Sequence, residues 1–102
     1  MSNFIQDCID GNALIYDIDD YIDEWHDSDS DLSLNEFLGM TEKEYALFVE
    51  DESYIATIIT VHKTNENIVT VMREHLAMAA RSNDAATASK IQKWLENENL
   101  WD

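Results

Sequence analysis

The 102-residue chain contains no proline and only two glycines, Gly11 and Gly39, and this feature constrains its fold more than any other. Because proline and glycine are the residues that most often interrupt helices, a chain almost without them favours helices joined by short polar turns. Hydrophobic residues make up 45% of the sequence, which is enough for one core in a chain of this length. We therefore predict one all-α domain over residues 1–102.

The charge of the chain is unevenly distributed. The sequence carries 22 Asp and Glu against 6 Lys and Arg, a formal net charge of -16. Residues 7–52 hold 16 of the acids and one base, Lys43, whereas the rest of the chain has 6 acids and 5 bases. Residues 1–52 are thus a strongly acidic half and residues 53–102 a near-neutral half. An acidic composition that served solubility alone would extend over the whole chain.

The densest acidic segment has helical periodicity. Its apolar residues recur at offsets of three and four, which predicts a helix from about Ala13 to His26 with Ile15, Ile18, Ile22 and Trp25 on one face. Acids occupy the opposite face and its margins at about one charge per 2.5–3 Å, within about a factor of two of duplex DNA. We predict that a protein partner contacts these acids, the acids of the next loop and an exposed aromatic: Asp17, Asp19, Asp20, Asp23, Glu24, Asp27, Asp29, Asp31 and Tyr21.

Such a helix is not stable by its own propensity. Like charges three or four residues apart destabilise a helix by roughly 0.2–0.5 kcal/mol per pair, so burial of the isoleucine and Trp25 face must hold it. The alternative interpretation of the acidic segment is an ordinary solvated helix face.

Three further features define the rest of the acidic half. A short helix is predicted from Asn3 to about Ile9. Capping boxes, in which a Ser or Thr and a Glu three residues later satisfy backbone N–H groups, predict helix starts at Ser33 and Thr41. This helix-turn-helix serves as scaffold, because phosphate would be repelled by its second helix, which has one Lys and three acids. The predicted core residues of the second helix are Tyr45, Phe48 and Val49.

The near-neutral half is predicted to be helical as well. Residues 53–62 contain β-branched side chains that favour a strand, but a lone strand would have no partner, so we predict a helix. Two more helices, the first capped by Thr64 or Asn65, form an antiparallel hairpin around a turn at residues 82–84. The bundle then has about five to six helices. Leu100 and Trp101 follow, either folded back on the core or available as a contact point.

No enzyme signature is present. The sequence lacks a Gly-rich phosphate loop, a Ser/His nucleophile context and an HExxH motif, so we predict a non-enzymatic protein without a cofactor. Residues 27–38 begin like a calcium loop, but Leu32 stands where the turn needs Gly and Leu38 where a bidentate Glu closes the coordination. We therefore predict no metal site.

Composition also restricts the partners and the location. Six bases beside 22 acids cannot supply the phosphate contacts that nucleic acid or an anionic membrane surface requires. The single cysteine, Cys8, cannot form an internal disulfide, and no basic N-terminal segment leads into an apolar run. A cytoplasmic location is therefore expected.

One part of the sequence has a familiar pattern. It combines Asp20-Tyr21-Ile22, Trp25-His26, the segment from Leu34 to Thr41, Glu44-Tyr45 and Val49-Glu50. In these positions residues 19–51 resemble a group of short, acidic, largely uncharacterised proteins of bacteria and mobile elements. The resemblance implies a context of phages, plasmids and genomic islands, whose small acidic products act on host or neighbouring proteins. It brings no catalytic residues.

Two functions fit these features. The first is a small non-enzymatic inhibitor of anti-CRISPR, anti-restriction or antitoxin type, whose acids imitate nucleic acid and occupy the basic groove of a nuclease, CRISPR effector, restriction complex or toxin. The second is a helical adaptor or oligomerisation module that binds a partner through an apolar face, such as the C-terminal hairpin. In the second case the acids would serve solubility.

Overall fold

The computed structural model describes residues 3–100, which form seven α-helices and no strand. The helices are α1 (Phe4–Ile9), α2 (Ile18–Asp27), α3 (Leu34–Leu38), α4 (Glu42–Glu50), α5 (Ile55–Thr64), α6 (Ile68–Arg81) and α7 (Ala85–Asn97). Two 3-10 turns, Ile15–Asp17 and Glu52–Tyr54, lead into α2 and α5. The all-α prediction is confirmed, including a helix within residues 53–62, and there is one helix more than the predicted five to six.

A single hydrophobic core joins the acidic and the near-neutral halves. Phe4 of α1 and Trp94 of α7 lie near opposite ends of the chain, and both are almost completely buried in the same cluster. The cluster also includes Leu47 of α4 and Ile58 of α5. Because both halves contribute to one core, the two halves of the sequence do not fold as separate domains.

Polar contacts attach α7 to the acidic half. The indole N–H of Trp94 donates to the backbone carbonyl of Lys43 over 2.8 Å. Lys90 Nζ lies 2.9 Å from the Asp51 carboxylate, which also accepts hydrogen bonds from Ser53. These bonds, the one from Lys90 above all, lower the pKa of Asp51 to about 2. The near-neutral half thus supplies a cation for one of the acids in residues 1–52.

The two predicted capping boxes differ in the structure. At the start of α4, Thr41 Oγ1 accepts from the Glu44 N–H while the Glu44 carboxylate accepts from the Thr41 N–H, as predicted. At the start of α3, the Ser33 hydroxyl instead donates to the side chains of Asn35 and Glu36, and it accepts no bond from the helix backbone. The spacing therefore predicted both helix starts but the hydrogen bonds of only one.

Of the three core residues predicted for α4, one is exposed and two are only half-buried. Leu47 and Glu44 are the buried residues of this helix, whereas Val49 is 65% exposed and Tyr45 and Phe48 are half-buried. Glu44 tolerates burial because its carboxylate, besides capping α4, lies 2.8 Å from His62 Nε2 on α5. Val49 follows Leu47 by two residues, about 200° around the helix, so it lies on the side of α4 that faces away from the core.

The C-terminal hairpin is confirmed, although the start of its first helix differs from the prediction. Asn67, rather than Thr64 or Asn65, caps α6 with its side-chain oxygen, and Asn65 has a left-handed backbone at the end of α5. Asp84 caps α7 in the same way. The buried residues of α6 and α7 are Ile68, Met72, Ala79, Ile91, Trp94 and Leu95, whereas Met78 of α6 is exposed.

The contact between α1 and the end of α3 leaves no space for a side chain at Gly39. This glycine has a φ of +91°, and a Cβ there would lie 2.4 Å from the side-chain amide of Asn3. The same Asn3 side chain caps α1 by accepting from the Gln6 N–H. Gly11 has a similar φ of +80° but nothing within 4 Å of its missing Cβ. A side chain at Gly11 would therefore cause backbone strain alone, whereas a side chain at Gly39 would cause the same strain and also displace the Asn3 cap.

We expect Gly39→Ala to lower the free energy of unfolding by more than Gly11→Ala does. Both changes place an L side chain at positive φ, at a cost of about 1–2 kcal/mol. Gly39→Ala also displaces the Asn3 cap, which adds about 1 kcal/mol. Urea unfolding followed by far-UV circular dichroism measures both values, and equal losses for the two variants would contradict this account of Gly39.

Candidate protein-binding surface

The acidic helix begins later than predicted. Residues from Ile15 to Asp17 form a 3-10 turn, and α2 starts at Ile18 rather than near Ala13. The turn forms because Asp17 Oδ2 accepts a 2.9 Å hydrogen bond from the backbone N–H of Leu14. Asp17 is half-buried as a result. Asp17, one of the predicted partner-binding acids, therefore makes a hydrogen bond within the fold.

The remaining acids of α2 are exposed. The helix has 10 residues and is about 15 Å long. None of the ion pairs formed within residues 3–100 involves its acids, so no Lys, Arg or His side chain of this part of the chain neutralises them. We call this group the acidic face, and it consists of Asp19, Asp20, Asp23, Glu24 and Asp27.

The loop after α2 extends the acidic face. The Trp25 indole N–H donates to the backbone carbonyl of Leu32 over 2.9 Å, and the Ser28 hydroxyl donates to the carbonyl of Trp25 over 3.1 Å. Residues 28–32 therefore fold back onto the last turn of the helix. Asp29 and Asp31 are exposed in this loop. The structure thus brings the two loop acids to the C-terminal end of the acidic face.

Tyr21 is not the exposed aromatic that the sequence predicted. Its ring packs edge-on against Phe4 at a centroid distance of 5.1 Å, and its hydroxyl donates to the Asp7 carboxylate. The hydrogen bond to Asp7, followed by partial burial, raises the pKa of Tyr21 to about 12. The spacing contained the relevant signal, because Tyr21 lies three residues after Ile18 and four before Trp25, on the apolar side of the helix. Tyr21 attaches α2 to α1.

The apolar side of α2 is only partly buried. Ile18, Ile22 and Trp25 are half-buried, and no residue of this helix is fully buried. Ile18 and Ile22 pack against the core, as does Tyr21. The helix therefore rests on the surface of the bundle, which leaves its acidic face open to solvent.

An exposed apolar segment just before α2 did not appear among the predicted contact residues. The side chains of Leu14, Ile15 and Tyr16 are 66%, 40% and 87% exposed. The sequence prediction placed Ile15 on the buried helix face, but this residue lies in the 3-10 turn instead. Three consecutive apolar residues that break the helical period were the signal for this exposure.

Leu100, the last described residue, is attached to the hairpin. Leu100 packs against the core, and its backbone carbonyl accepts a hydrogen bond from Arg73 of α6. The other residue of the predicted contact point, Trp101, lies outside the described residues. Among the large apolar side chains of α6 and α7, Met78 alone is exposed, so the hairpin offers less free apolar surface than an adaptor would use.

Two further properties concern the described part of the chain. No three His, Cys, Asp or Glu side chains among residues 3–100 are grouped so that they could hold a metal ion. None of the helices in this range has the length and apolar composition needed to cross a bilayer.

The raised pKa of Tyr21 gives a test of its contact with Asp7. We expect an alkaline ultraviolet titration to show one tyrosine that ionises near pH 12 and is missing in Tyr21→Phe. Because the fold raises this pKa above 10, the contribution of the hydroxyl to stability is complete below about pH 10 and is lost as the pH rises toward 12. The stability difference between wild type and Tyr21→Phe should shrink over that interval. Ionisation of this tyrosine near pH 10 would contradict the contact.

Comparison with known proteins returns no match: no family model, curated protein or solved structure is similar to this chain. The resemblance of residues 19–51 to short acidic proteins of mobile elements therefore stays a prediction.

Proposed function

We propose that the protein is a small, non-enzymatic inhibitor that occupies the basic nucleic-acid-binding groove of a protein target by imitating nucleic acid. One observation carries the proposal: the acids of the acidic face are exposed along a single helix, and none is in an ion pair within residues 3–100. Asp29 and Asp31 add two exposed charges at the end of this helix.

The charge density of the acidic face supports the proposal. Five carboxylates along about 15 Å of helix give about one negative charge per 3 Å, against one per roughly 1.7 Å in duplex DNA. A row of unpaired charges of one sign accelerates encounter with an oppositely charged groove, as phosphates do. The same charges repel nucleic acid itself and anionic membranes, so the partner we propose is a basic protein.

The target class follows from this chemistry. A nuclease, a CRISPR effector, a restriction complex and a toxin that acts on nucleic acid share a groove lined with Lys and Arg. An inhibitor of anti-CRISPR, anti-restriction or antitoxin type would meet such a target in the cytoplasm, the location that we propose for this protein. The adaptor function has less support, because Met78 is the one large apolar side chain that α6 and α7 expose.

Reversal of the charges on the acidic face should abolish partner binding. The acidic-face variant changes Asp20, Asp23, Glu24 and Asp27 to Lys. We expect it to retain none of the proteins that immobilised wild type captures from a nuclease-treated bacterial lysate. We also expect purified wild type to displace labelled nucleic acid from a captured partner. The variant should need at least a hundredfold higher concentration for the same displacement, a difference of about 3 kcal/mol in binding free energy. Circular dichroism should show that the variant remains helical.

A matched control separates local from total charge. The changes Glu66→Lys, Glu74→Lys, Glu96→Lys and Glu98→Lys alter the net charge equally but lie in the near-neutral half. We expect this control to capture the same partners as wild type. If the acidic-face variant binds those partners as tightly as wild type does, nucleic-acid mimicry by α2 is wrong.

Partner binding should also weaken with salt. The Debye length falls from above 10 Å to about 4 Å between about 50 and 500 mM salt, which screens contacts between exposed charges. We expect the dissociation constant of the captured complex, measured by surface plasmon resonance, to rise at least tenfold over this range. An affinity that holds or increases with salt would instead indicate apolar docking.

A further inference from the structure

An exposed apolar ridge lies beside the start of the acidic helix. The ridge consists of Leu14, Ile15 and Tyr16, of which Tyr16 is 87% exposed. Two open grooves, of about 430 and 520 Å³, lie along it. Ile15, Tyr16 and Ala56 of α5 line both grooves, so the side chains of Ile15 and Tyr16 stand between them. Apolar surface is thus exposed in two adjacent depressions rather than at isolated positions.

The two grooves share Ile15, Tyr16 and Ala56 but differ in their other lining residues. The groove on the Leu14 side is lined by apolar and small side chains, including Cys8, Ala13 and Ile59. The other groove has Asp19 and Glu52 among its lining residues. No Lys or Arg lines either groove.

Two acids lie near Cys8, which lines the groove on the Leu14 side. Burial raises the pKa of the Cys8 thiol, and the nearby carboxylates of Asp17 and Asp7 raise it further. These two acids therefore lie close enough to act electrostatically on a lining residue of this groove. Both depressions have negative charge beside apolar surface, and an occupant that matches them must combine apolar side chains with cations.

We propose that the ridge is the docking site for a basic amphipathic helix of the partner protein. The inference rests on the proposed function and adds the kind of element that the partner presents. A helix fits the two grooves because its apolar side chains three or four positions apart lie on one face and can enter the depressions on both sides of the ridge. Its Lys and Arg side chains then lie beside Asp19 and Glu52.

The charge around the ridge disfavours two other occupants. A second copy of this chain, docked through the same patch, would place its own Asp19 and Glu52 against those of the first copy. Anionic lipid would meet the acidic face of α2 beside the ridge. A basic partner is the occupant whose charge complements this surface.

Two synthetic peptides serve as probes. Both are about 18 residues long, or five helical turns, and contain only Leu and Lys. The first has all Leu residues on one helical face, and the second has the same composition with Leu distributed around the helix. We expect wild type to bind the amphipathic peptide about tenfold more tightly than the scrambled one, as measured by calorimetric titration at physiological salt.

The ridge variant Leu14→Ser/Tyr16→Ser tests the location. We expect it to bind both peptides with the affinity that wild type has for the scrambled one, because the tenfold preference comes from the ridge. The matched control Val49→Ser/Met78→Ser removes two side chains that are similarly exposed, at 65% and 62%, from other surfaces. It should keep the preference. If the ridge variant also keeps it, the inference is overturned.

The acidic-face variant distinguishes failure of this inference from failure of the proposed function. We expect it to bind both peptides more weakly while retaining a preference for the amphipathic one. Unchanged binding of both peptides by this variant would count against nucleic-acid mimicry, whatever the ridge variant does. A wild type that sediments as a dimer, with a monomeric ridge variant, would make a second copy the occupant and overturn the proposal of a basic helix.

Discussion

The attachment of α2 to α1 is the interaction on which the acidic surface depends. The helix carries like charges three and four residues apart, each pair of which destabilises it by roughly 0.2–0.5 kcal/mol, and none of its residues is fully buried. Tyr21 opposes this repulsion in two ways. Its ring forms an edge-on pair with Phe4, an arrangement that contributes about 0.5–1.5 kcal/mol beyond burial, and its hydroxyl donates to Asp7. At the other end of the helix, the Trp25 indole holds the loop through its bond to Leu32.

The acids of residues 7–52 consequently divide into two groups. One group makes contacts that hold the fold together, with hydroxyl, backbone N–H, imidazole or ammonium donors; it includes Asp7, Asp17, Glu44 and Asp51. The other group has no ion pair within the described residues and consists mainly of the acidic face and its loop, with Glu42 and Glu52 exposed elsewhere. A charge count along the sequence treats the two groups alike. The free charge is therefore smaller than the sequence indicates and is concentrated on α2, where it faces solvent.

Sequence patterns predicted the fold class, the hairpin and the exposure of the acidic face, because these depend on helix breakers and periodicity. They failed where one side chain decides the local geometry. Asp17 turns the chain before α2 by accepting a hydrogen bond from Leu14, Ser33 directs its hydroxyl toward Glu36, and α4 packs with Glu44 and Leu47 inward, which leaves Val49 outside. These local geometries depend on side-chain rotamers and on neighbours distant in sequence. The periodicity of the sequence carries no information about either. Tyr21 is a different case, because its spacing from Ile18 and Trp25 already placed it on the apolar side of the helix, although we predicted it to be exposed.

The two ends of α2 differ chemically, and this difference can orient a partner. Acids in the first turn, Asp19 and Asp20, compensate the positive end of the helix dipole. At the C-terminal end the dipole is negative, and Asp27, Asp29 and Asp31 add to it, so this end attracts cations most strongly. The apolar ridge lies at the opposite end. A row of identical charges alone would bind any basic surface in several registers, whereas a negative pole at one end and an apolar contact at the other favour one direction of docking. In the proposed complex, charge would govern the rate of encounter, and the ridge would govern which basic partner stays bound.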